Sequence, residues 1–238
     1  MSRILTWNVN HRIREKAIPP KMAAALLSLN PNVVVLTEFV PGPSREDFYH
    51  SLADGGLPHI LCSTSTRPHN HVLIASKTAL KTGDIFAPLI SPSMPSNALH
   101  VGLTVEGFEV LGMRIPDFSR SPALRRECWD WIIQTTSSVK NRPFMLLGDF
   151  NTDPKYSKAR CGDQIARLVG GGWQNASPAA GFSYWTLKGL GVRIDHAFFS
   201  NHFRILGTEY VEEANGYIFV GKSGMSDHAA LVVDFEAV

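Results

Sequence analysis

Residues 144–151 read FMLLGDFN, four consecutive apolar residues that lead into Asp149 and Asn151. Such a continuous apolar run is typical of a strand that is buried on both faces. The arrangement recurs nearer the N-terminus, where 33–38 reads VVVLTE and ends in Glu38, and 4–8 reads ILTWN and ends in Asn8. Three strands that each end in a carboxylate or carboxamide predict a rigid sheet that directs polar side chains into one cleft.

Strands and helices alternate early in the chain, whereas closely spaced strands dominate later. Helices are predicted near 21–29, from 122 to about 140 and near 163–169, and a short helix is expected after Ser44, capped by Ser44 and Asp47. The apolar face of the longest helix is expected to carry Leu124, Cys128, Trp131, Ile132 and Val139. Further strands are predicted at 59–62, 72–76, 99–105, 108–114, 194–199, 203–212 and 229–235. This order favours a mixed α/β sandwich.

The composition describes a chain that can bury a core, with 238 residues, 44% of them hydrophobic and 18% charged. A formal net charge of +2, from 23 basic and 21 acidic residues, neither demands nor excludes a polyanionic partner. Cys62, Cys128 and Cys161 lie far apart without CxxC spacing, so we expect reduced thiols. With neither a signal peptide nor a membrane span in the sequence, we expect a cytoplasmic protein.

Polar residues also cluster near the C-terminus, in the segments RIDH (193–196) and SDH (226–228). Asp195 can receive the ring N–H of His228 and so fix the orientation of that imidazole. A single histidine is more often a packed structural residue, and this interpretation is preferred for His196. Hard cations such as Mg²⁺ prefer oxygen ligands, which the carboxylates at the strand ends supply.

The motifs TWNVN at Asn8, LTE at Glu38, GDFN at Asp149, YWT at 184–186, RIDH at Asp195 and SDH at 226–228 occur in this order. The ordered set resembles the endonuclease/exonuclease/phosphatase family, which includes AP endonucleases, DNase I-like nucleases and inositol-polyphosphate phosphatases. The resemblance runs from residue 4 to about residue 235. It implies one domain over 1–238, in which two mixed β-sheets pack face to face with helices on the outer faces.

The resemblance also implies a divalent metal, Mg²⁺ or Mn²⁺. Glu38 matches the principal metal ligand of the family, and Asn8 and Asp227 match residues close to the metal. The metal would act as a Lewis acid on the phosphoryl group.

The remaining matched residues imply roles in the reaction. Asp149 would orient or deprotonate the attacking water, and Asn151 would position that water or a phosphoryl oxygen. His228, held by Asp195, would donate a hydrogen bond to a phosphoryl oxygen.

The chain departs from the family at Arg114, where members usually carry Tyr or His, and at Asp117, where AP endonucleases tend to have Asn. An arginine can bind two phosphoryl oxygens, but it cannot protonate a leaving group. We therefore expect Arg114 to contact phosphate at the catalytic centre. The alternative is that Arg114 simply pairs with Asp117 or Glu109.

The substrate is predicted from the loops around the centre. Basic residues, among them Arg160, are expected at the rim of the cleft. Arg12, Arg14, Lys155 and Lys158 would contact a DNA backbone there, although such loops are often merely solvated. Trp185 and Ile194 match positions that line the sugar pocket of AP endonucleases, and Phe182 or Tyr184 would complete that pocket. The same aromatic residues could equally belong to the core.

The leading hypothesis is a monomeric Mg²⁺- or Mn²⁺-dependent nuclease that acts on DNA phosphodiesters, as an endonuclease or exonuclease and with a role such as DNA repair. One alternative is a phosphatase or phosphodiesterase for a small or lipid-linked phosphate, such as an inositol phosphate. Another is a nucleic-acid-binding module that has lost catalysis. No membrane partner is expected.

Overall fold

The computed structural model describes residues 1–10, 18–64, 70–91 and 96–238, so the predicted contacts of Arg12 and Arg14 lie outside the described residues. The strands are β1 Ser2–Asn8, β2 Val33–Phe39, β3 His59–Cys62, β4 His71–Ser76, β5 Leu80–Thr82, β6 Asn97–Leu103, β7 Phe108–Arg114, β8 Phe144–Asp149, β9 Gln174–Asn175, β10 Tyr184–Trp185, β11 Gly191–Val192, β12 Asp195–Phe199, β13 Phe203–Val211, β14 Glu213–Ala214, β15 Tyr217–Ile218 and β16 Ala230–Ala237. The α-helices are α1 Pro20–Ser28, α2 Arg45–Asp54, α3 Pro122–Val139 and α4 Asp163–Gly170. Within these described segments, no helix is long and apolar enough to cross a membrane.

The strands form two six-stranded mixed sheets, which confirms the predicted fold class. The first has the order β13-β16-β1-β2-β4-β3 and the second the order β5-β6-β7-β8-β12-β9. The pairs β1–β2 and β7–β8 are parallel. Because parallel strands end at the same edge of a sheet, each pair delivers its C-terminal side chains to one end of the sandwich.

The two sheets pack face to face through apolar side chains. Val35 and Val72 of the first sheet share one core with Val110 and Leu147 of the second. At Gly112 a Cβ atom would lie 2.7 Å from Val35 Cγ1 and 2.8 Å from Val72 Cγ1, so glycine allows the sheets to approach closely there.

Helices cover both outer faces of the sandwich. On the first sheet, α1 and α2 bury Met22, Leu26, Phe48 and Leu52. On the second, α3 and α4 bury Cys128, Trp129, Ile132, Ile165 and Leu168.

One local prediction was incomplete and one was wrong. Trp131 packs against the core as predicted but is only partly buried, and Trp129, which the prediction omits, is the fully buried tryptophan of α3. Ser44 precedes α2 but makes no capping hydrogen bond with its side chain; its Oγ instead accepts from the backbone N–H of Ile18.

Candidate active site

Five strand ends converge at one end of the sandwich. Asn8 closes β1, Glu38 lies near the end of β2, Arg114 closes β7, Asp149 closes β8 and Asp195 opens β12. The parallel register places Arg114 opposite Asp149, and the antiparallel register places Asp195 on the other side of Asp149. A cleft of about 630 Å³ lies above them, and among its lining residues are Glu38, Arg114, Asp149, Asn151, Asp227 and His228.

Gly148 fixes the position of Asp149. Its φ of +144° is in a region that L side chains rarely adopt, and a Cβ there would lie 1.9 Å from the carbonyl oxygen of Met113. Only glycine therefore lets β8 lie this close to β7 and bring Asp149 beside Arg114.

Asp149 is buried and surrounded by carboxamides. Its Oδ2 accepts from Asn8 Nδ2 at 2.9 Å and from Asn151 Nδ2 at 3.0 Å, and its Oδ1 accepts from the backbone N–H of Asn151 at 2.8 Å. Burial, followed by the charges of Asp195 and Glu38, raises the pKa of Asp149 to about 7, against the opposing charges of His228 and Arg114. A carboxylate with this pKa can accept a proton near neutral pH.

His228 and Asp195 form the buried ion pair that the sequence predicts. His228 Nδ1 lies 2.7 Å from Oδ2 of Asp195, whose side chain is 0% exposed. Burial lowers the pKa of His228, but the charge and hydrogen bond of Asp195 and the charges of Asp149 and Asp227 raise it to about 9. His228 is therefore an imidazolium at neutral pH, with Nδ1–H donated to Asp195 and Nε2 at the cleft, 4.0 Å from Asp227 Oδ1.

The backbone around the pair is held by hydrogen bonds from distant elements. Trp7 Nε1 donates to the carbonyl of His228, and Tyr210 Oη donates to the carbonyl of Asp195. Ser183 Oγ accepts from the backbone N–H groups of Ile194 and Asp195. The imidazole thus has one defined orientation.

Glu38 sits on a strained backbone. Its φ is +54°, unusual for a residue with a side chain, and it falls at an irregularity in the pairing of β2 with β4. This conformation places the carboxylate at the cleft, where Oε1 accepts from Arg114 Nε at 2.7 Å. The alternative partners of Arg114 are engaged elsewhere: Asp117 bonds Arg125, and Glu109 bonds His100 and Arg142.

The donor set fits a hard divalent cation, although no three acidic, histidine or cysteine side chains converge as a preformed cage in the described part of the chain. Mg²⁺ usually takes one or two protein carboxylates and fills its other positions with water and substrate phosphate. Glu38 and Asp227 supply two carboxylates at the cleft. Asp149 lines the same cleft, and this grouping of acidic side chains favours a cation.

The other predicted substrate contacts lie in different surroundings. Lys155 and Lys158 are exposed on the loop that follows Asp149. Trp185 packs edge-to-face on Phe182 and against the core between the sheets. Ile194 and Tyr184 line the cleft, and the Tyr184 ring lies 5.0 Å from that of His228.

Several cleft residues were not predicted from the sequence. One is Tyr156, which lines the cleft beneath Arg160 of the predicted basic loop; the Arg160 guanidinium carbon lies 3.5 Å from the centre of the Tyr156 ring. The turn between β10 and β11 adds Leu187, Lys188 and Leu190 to the lining of the cleft. The signal for this turn was the Lys-Gly pair at 188–189 between two short β-prone segments.

His196 is a core residue, as preferred from the sequence. It is buried, its Nε2 lies 2.8 Å from the carbonyl oxygen of Thr152, and its ring stacks on Phe198. Burial lowers its pKa. The three cysteines, all within the described segments, form no disulfide.

Comparison with known proteins supports the resemblance seen in the motifs. Among solved structures, the chain is similar to the 3′ phosphatase NExo from Neisseria bound to a product DNA hairpin (TM-score 0.70, 18% identity, 99% of this chain and 100% of that chain). An AP endonuclease from Archaeoglobus fulgidus gives a TM-score of 0.70 at 18% identity over 100% of both chains. TDP2 from D. rerio, complexed with a single-strand DNA product, gives 0.70 at 14% identity over 99% of both chains.

At these low identities, the TM-scores show a shared fold alone. No curated protein matches the chain by sequence. A family model, described as the Endonuclease/Exonuclease/phosphatase family, matches residues 5–228. The chain therefore belongs to the endonuclease/exonuclease/phosphatase family of phosphoesterases.

Proposed function

We propose that the protein is a Mg²⁺- or Mn²⁺-dependent hydrolase of phosphodiester bonds, and that its substrate is DNA. The observation that carries this proposal is the pairing of two groups at the cleft. One is a buried carboxylate, Asp149, with a pKa near 7, and the other is an imidazolium, His228, fixed by Asp195. Hydrolysis of a phosphoester requires a proton acceptor and a cationic hydrogen-bond donor, and both lie at this cleft.

Glu38 and Asp227 would hold the metal. When bound, the metal supplies Lewis-acid chemistry and positive charge at the phosphoryl group. Asn8 supports this centre through Asp149, because its Nδ2 donates to Asp149 and its Oδ1 accepts from the backbone N–H of Asn10.

The chain's own residues have the remaining roles in the reaction. Asp149 orients the attacking water and accepts its proton at Oδ1 or Oδ2. Asn151 Nδ2 also donates to the carbonyl of Ile115 at 2.7 Å, which fixes its amide beside Asp149. His228 donates from Nε2 to a phosphoryl oxygen and stabilises the charge that develops there.

DNA is proposed as the substrate because cationic and aromatic side chains adjoin the acidic centre. Arg160, Lys188, Tyr156 and Tyr184 line the same cleft. Cations bind backbone phosphates, and aromatic rings stack on bases. Lys155 and Lys158 would extend the phosphate contacts beyond the cleft, and three solved structures of this fold come from DNA-processing or DNA-bound proteins.

An activity panel tests the proposal. Plain and abasic duplexes, single-stranded DNA, RNA and inositol phosphates are each incubated with Mg²⁺ or Mn²⁺ and with EDTA. We expect metal-dependent cleavage of DNA. If only an inositol phosphate is turned over, the proposed substrate is wrong and a small phosphate takes the place of DNA. Full activity in excess EDTA would refute the requirement for a metal.

A pair of variants locates the metal. Glu38→Gln should depress activity and recover in part at high Mg²⁺, because one ligand charge is lost. Glu106→Gln is the matched control, since Glu106 lies in the β6–β7 turn at the opposite end of β7 from Arg114. Equal activity of Glu38→Gln and the control at low Mg²⁺ would exclude Glu38 as a ligand.

A further inference from the structure

Arg114 lies against the carboxylate that the proposed function assigns to the metal. Its Nε donates to Glu38 Oε1 at 2.7 Å, and the two side chains are only 14% and 10% exposed. A charge-assisted hydrogen bond screened this little by water is stronger than a surface ion pair. The guanidinium is therefore part of the centre itself.

Arg114 has further donors and lines the cleft. A guanidinium has five N–H donors in a planar fork, and only Nε is used by Glu38. Among the described residues, Nη1 and Nη2 of Arg114 make no hydrogen bond, and Arg114 lines the cleft. These two nitrogens are therefore available to bind two oxygens of one phosphate.

We propose that Arg114 is an internal counter-cation of Glu38, which opposes metal binding at this carboxylate until a substrate phosphate is present, so that metal and phosphate bind cooperatively. This inference rests on the proposed function, because it takes Glu38 as the metal ligand. Arg114 is a positioning residue for the metal and a binding residue for the phosphate.

The sign of the coupling follows from the charges. Without phosphate, the guanidinium and a divalent ion share one carboxylate and repel each other, which weakens metal binding by about tenfold or more. A phosphate placed between the two cations attracts both, and the fork of Arg114 can hold two of its oxygens. By linkage, phosphate then tightens metal binding by the same factor by which metal tightens phosphate binding.

The experiment measures Mn²⁺ affinity of the full chain from the signal of free Mn²⁺ in electron paramagnetic resonance. Titrations are run with and without inorganic phosphate, and the free Mn²⁺ is corrected for its complex with phosphate. The proteins are the wild type, Arg114→Met, Arg114→Lys and Arg142→Met. Arg142 is the matched control, because it also donates from Nε to a glutamate, Glu109, but near the opposite end of β7 from Arg114. Thermal unfolding of each variant verifies that it folds.

Without phosphate, Arg114→Met should bind Mn²⁺ about tenfold more tightly than the wild type, and Arg142→Met should match the wild type. Phosphate should tighten Mn²⁺ binding to the wild type by at least several-fold and much less in Arg114→Met. Arg114→Lys keeps the charge but not the fork, so it should keep the weak affinity and lose most of the gain from phosphate.

Two results would overturn the inference and leave the proposed function intact. The first is a wild type that binds Mn²⁺ through Glu38 while Arg114→Met binds it no more tightly. The second is that phosphate tightens Mn²⁺ binding to Arg114→Met as much as it tightens Mn²⁺ binding to the wild type. If instead the wild type binds no Mn²⁺ with or without phosphate, the proposed function fails, and the inference fails with it.

Discussion

Replacing Asp195 by Asn tests whether the imidazolium of His228 stabilises the reaction. The pKa of His228 is about 9 against an ordinary value of 6.5, although burial by itself lowers it. The difference corresponds to roughly 3 kcal/mol in favour of the charged ring. Because Asp195 supplies the main opposing charge and the 2.7 Å hydrogen bond, Asp195→Asn should bring the pKa of His228 below 6.5.

The effect on activity depends on pH. In the wild type, Asp149 must be ionised and His228 protonated, so single-turnover rates should form a plateau between about pH 7 and about pH 9. At pH 7.5 the Asn variant should keep less than about a tenth of its imidazole protonated, and its rate should fall at least about tenfold.

The assay combines a pH–rate profile from pH 5 to 10 with a nuclear magnetic resonance titration of the His228 ring. Asp234→Asn is a control of the same chemistry, since Asp234 pairs with Arg3 in a different ion pair. The reasoning is refuted if Asp195→Asn keeps both the wild-type rate at pH 7.5 and a His228 pKa near 9.

Three further predictions concern other parts of the chain. Asp149→Asn should lower single-turnover rates by at least about a hundredfold while DNA affinity holds or improves, because a base and a repulsive charge are lost; near-normal rates would exclude Asp149 as the base. Lys155→Ala, Lys158→Ala and Arg160→Ala should each flatten the plot of log affinity against log salt by about 0.9 on duplex DNA, whereas Lys81→Ala on β5 should not; unchanged slopes would argue for a small-phosphate substrate. Burial lowers the pKa of the His196 imidazole, so the folded protein favours the neutral ring. The stability that this ring contributes is therefore present above pH 6.5 and is lost as pH falls towards the folded-state pKa. Urea unfolding should therefore show a wild-type stability that falls below pH 6.5 by up to about 1.4 kcal/mol per pH unit more steeply than that of His196→Phe, and parallel slopes would contradict this.

Prediction from the sequence succeeded where the signal is local. The apolar runs before Asn8, Glu38 and Asp149 each became a buried strand, because a run of that kind is stable only between two packed layers. The motif set, read in order, also indicated the family that the family model identifies.

Local patterns were incomplete where two large side chains compete for one core. Residues two apart on a helix point about 160° away from each other, so Trp129 and Trp131 cannot both be fully buried against the second sheet. Trp129 is fully buried, and Trp131 packs against the same core only in part. Trp129 was selected by its surroundings: it stacks on Phe150 and donates to Thr152 Oγ1 at 3.0 Å. Neither partner is visible from the helix sequence.

The same limit applies to the cleft. Tyr184 and Trp185 are neighbours in a two-residue strand, whose alternation places their side chains on opposite faces. The sequence contains no information on which face meets the cleft, whereas the structure directs Tyr184 to it and Trp185 towards the core.

By itself, the sequence determined the strands of four or more residues, the polar residues at their ends and the family. Only the tertiary structure decided how Arg114 and Glu38 are paired. Arg114 and Glu38 are separated by 76 positions and lie on different sheets, so no periodicity or propensity couples them. Their contact exists because the sheets pack face to face and bring the ends of β2 and β7 together. That long-range packing also decides the charge around Asp149 and His228, and with it their pKa values.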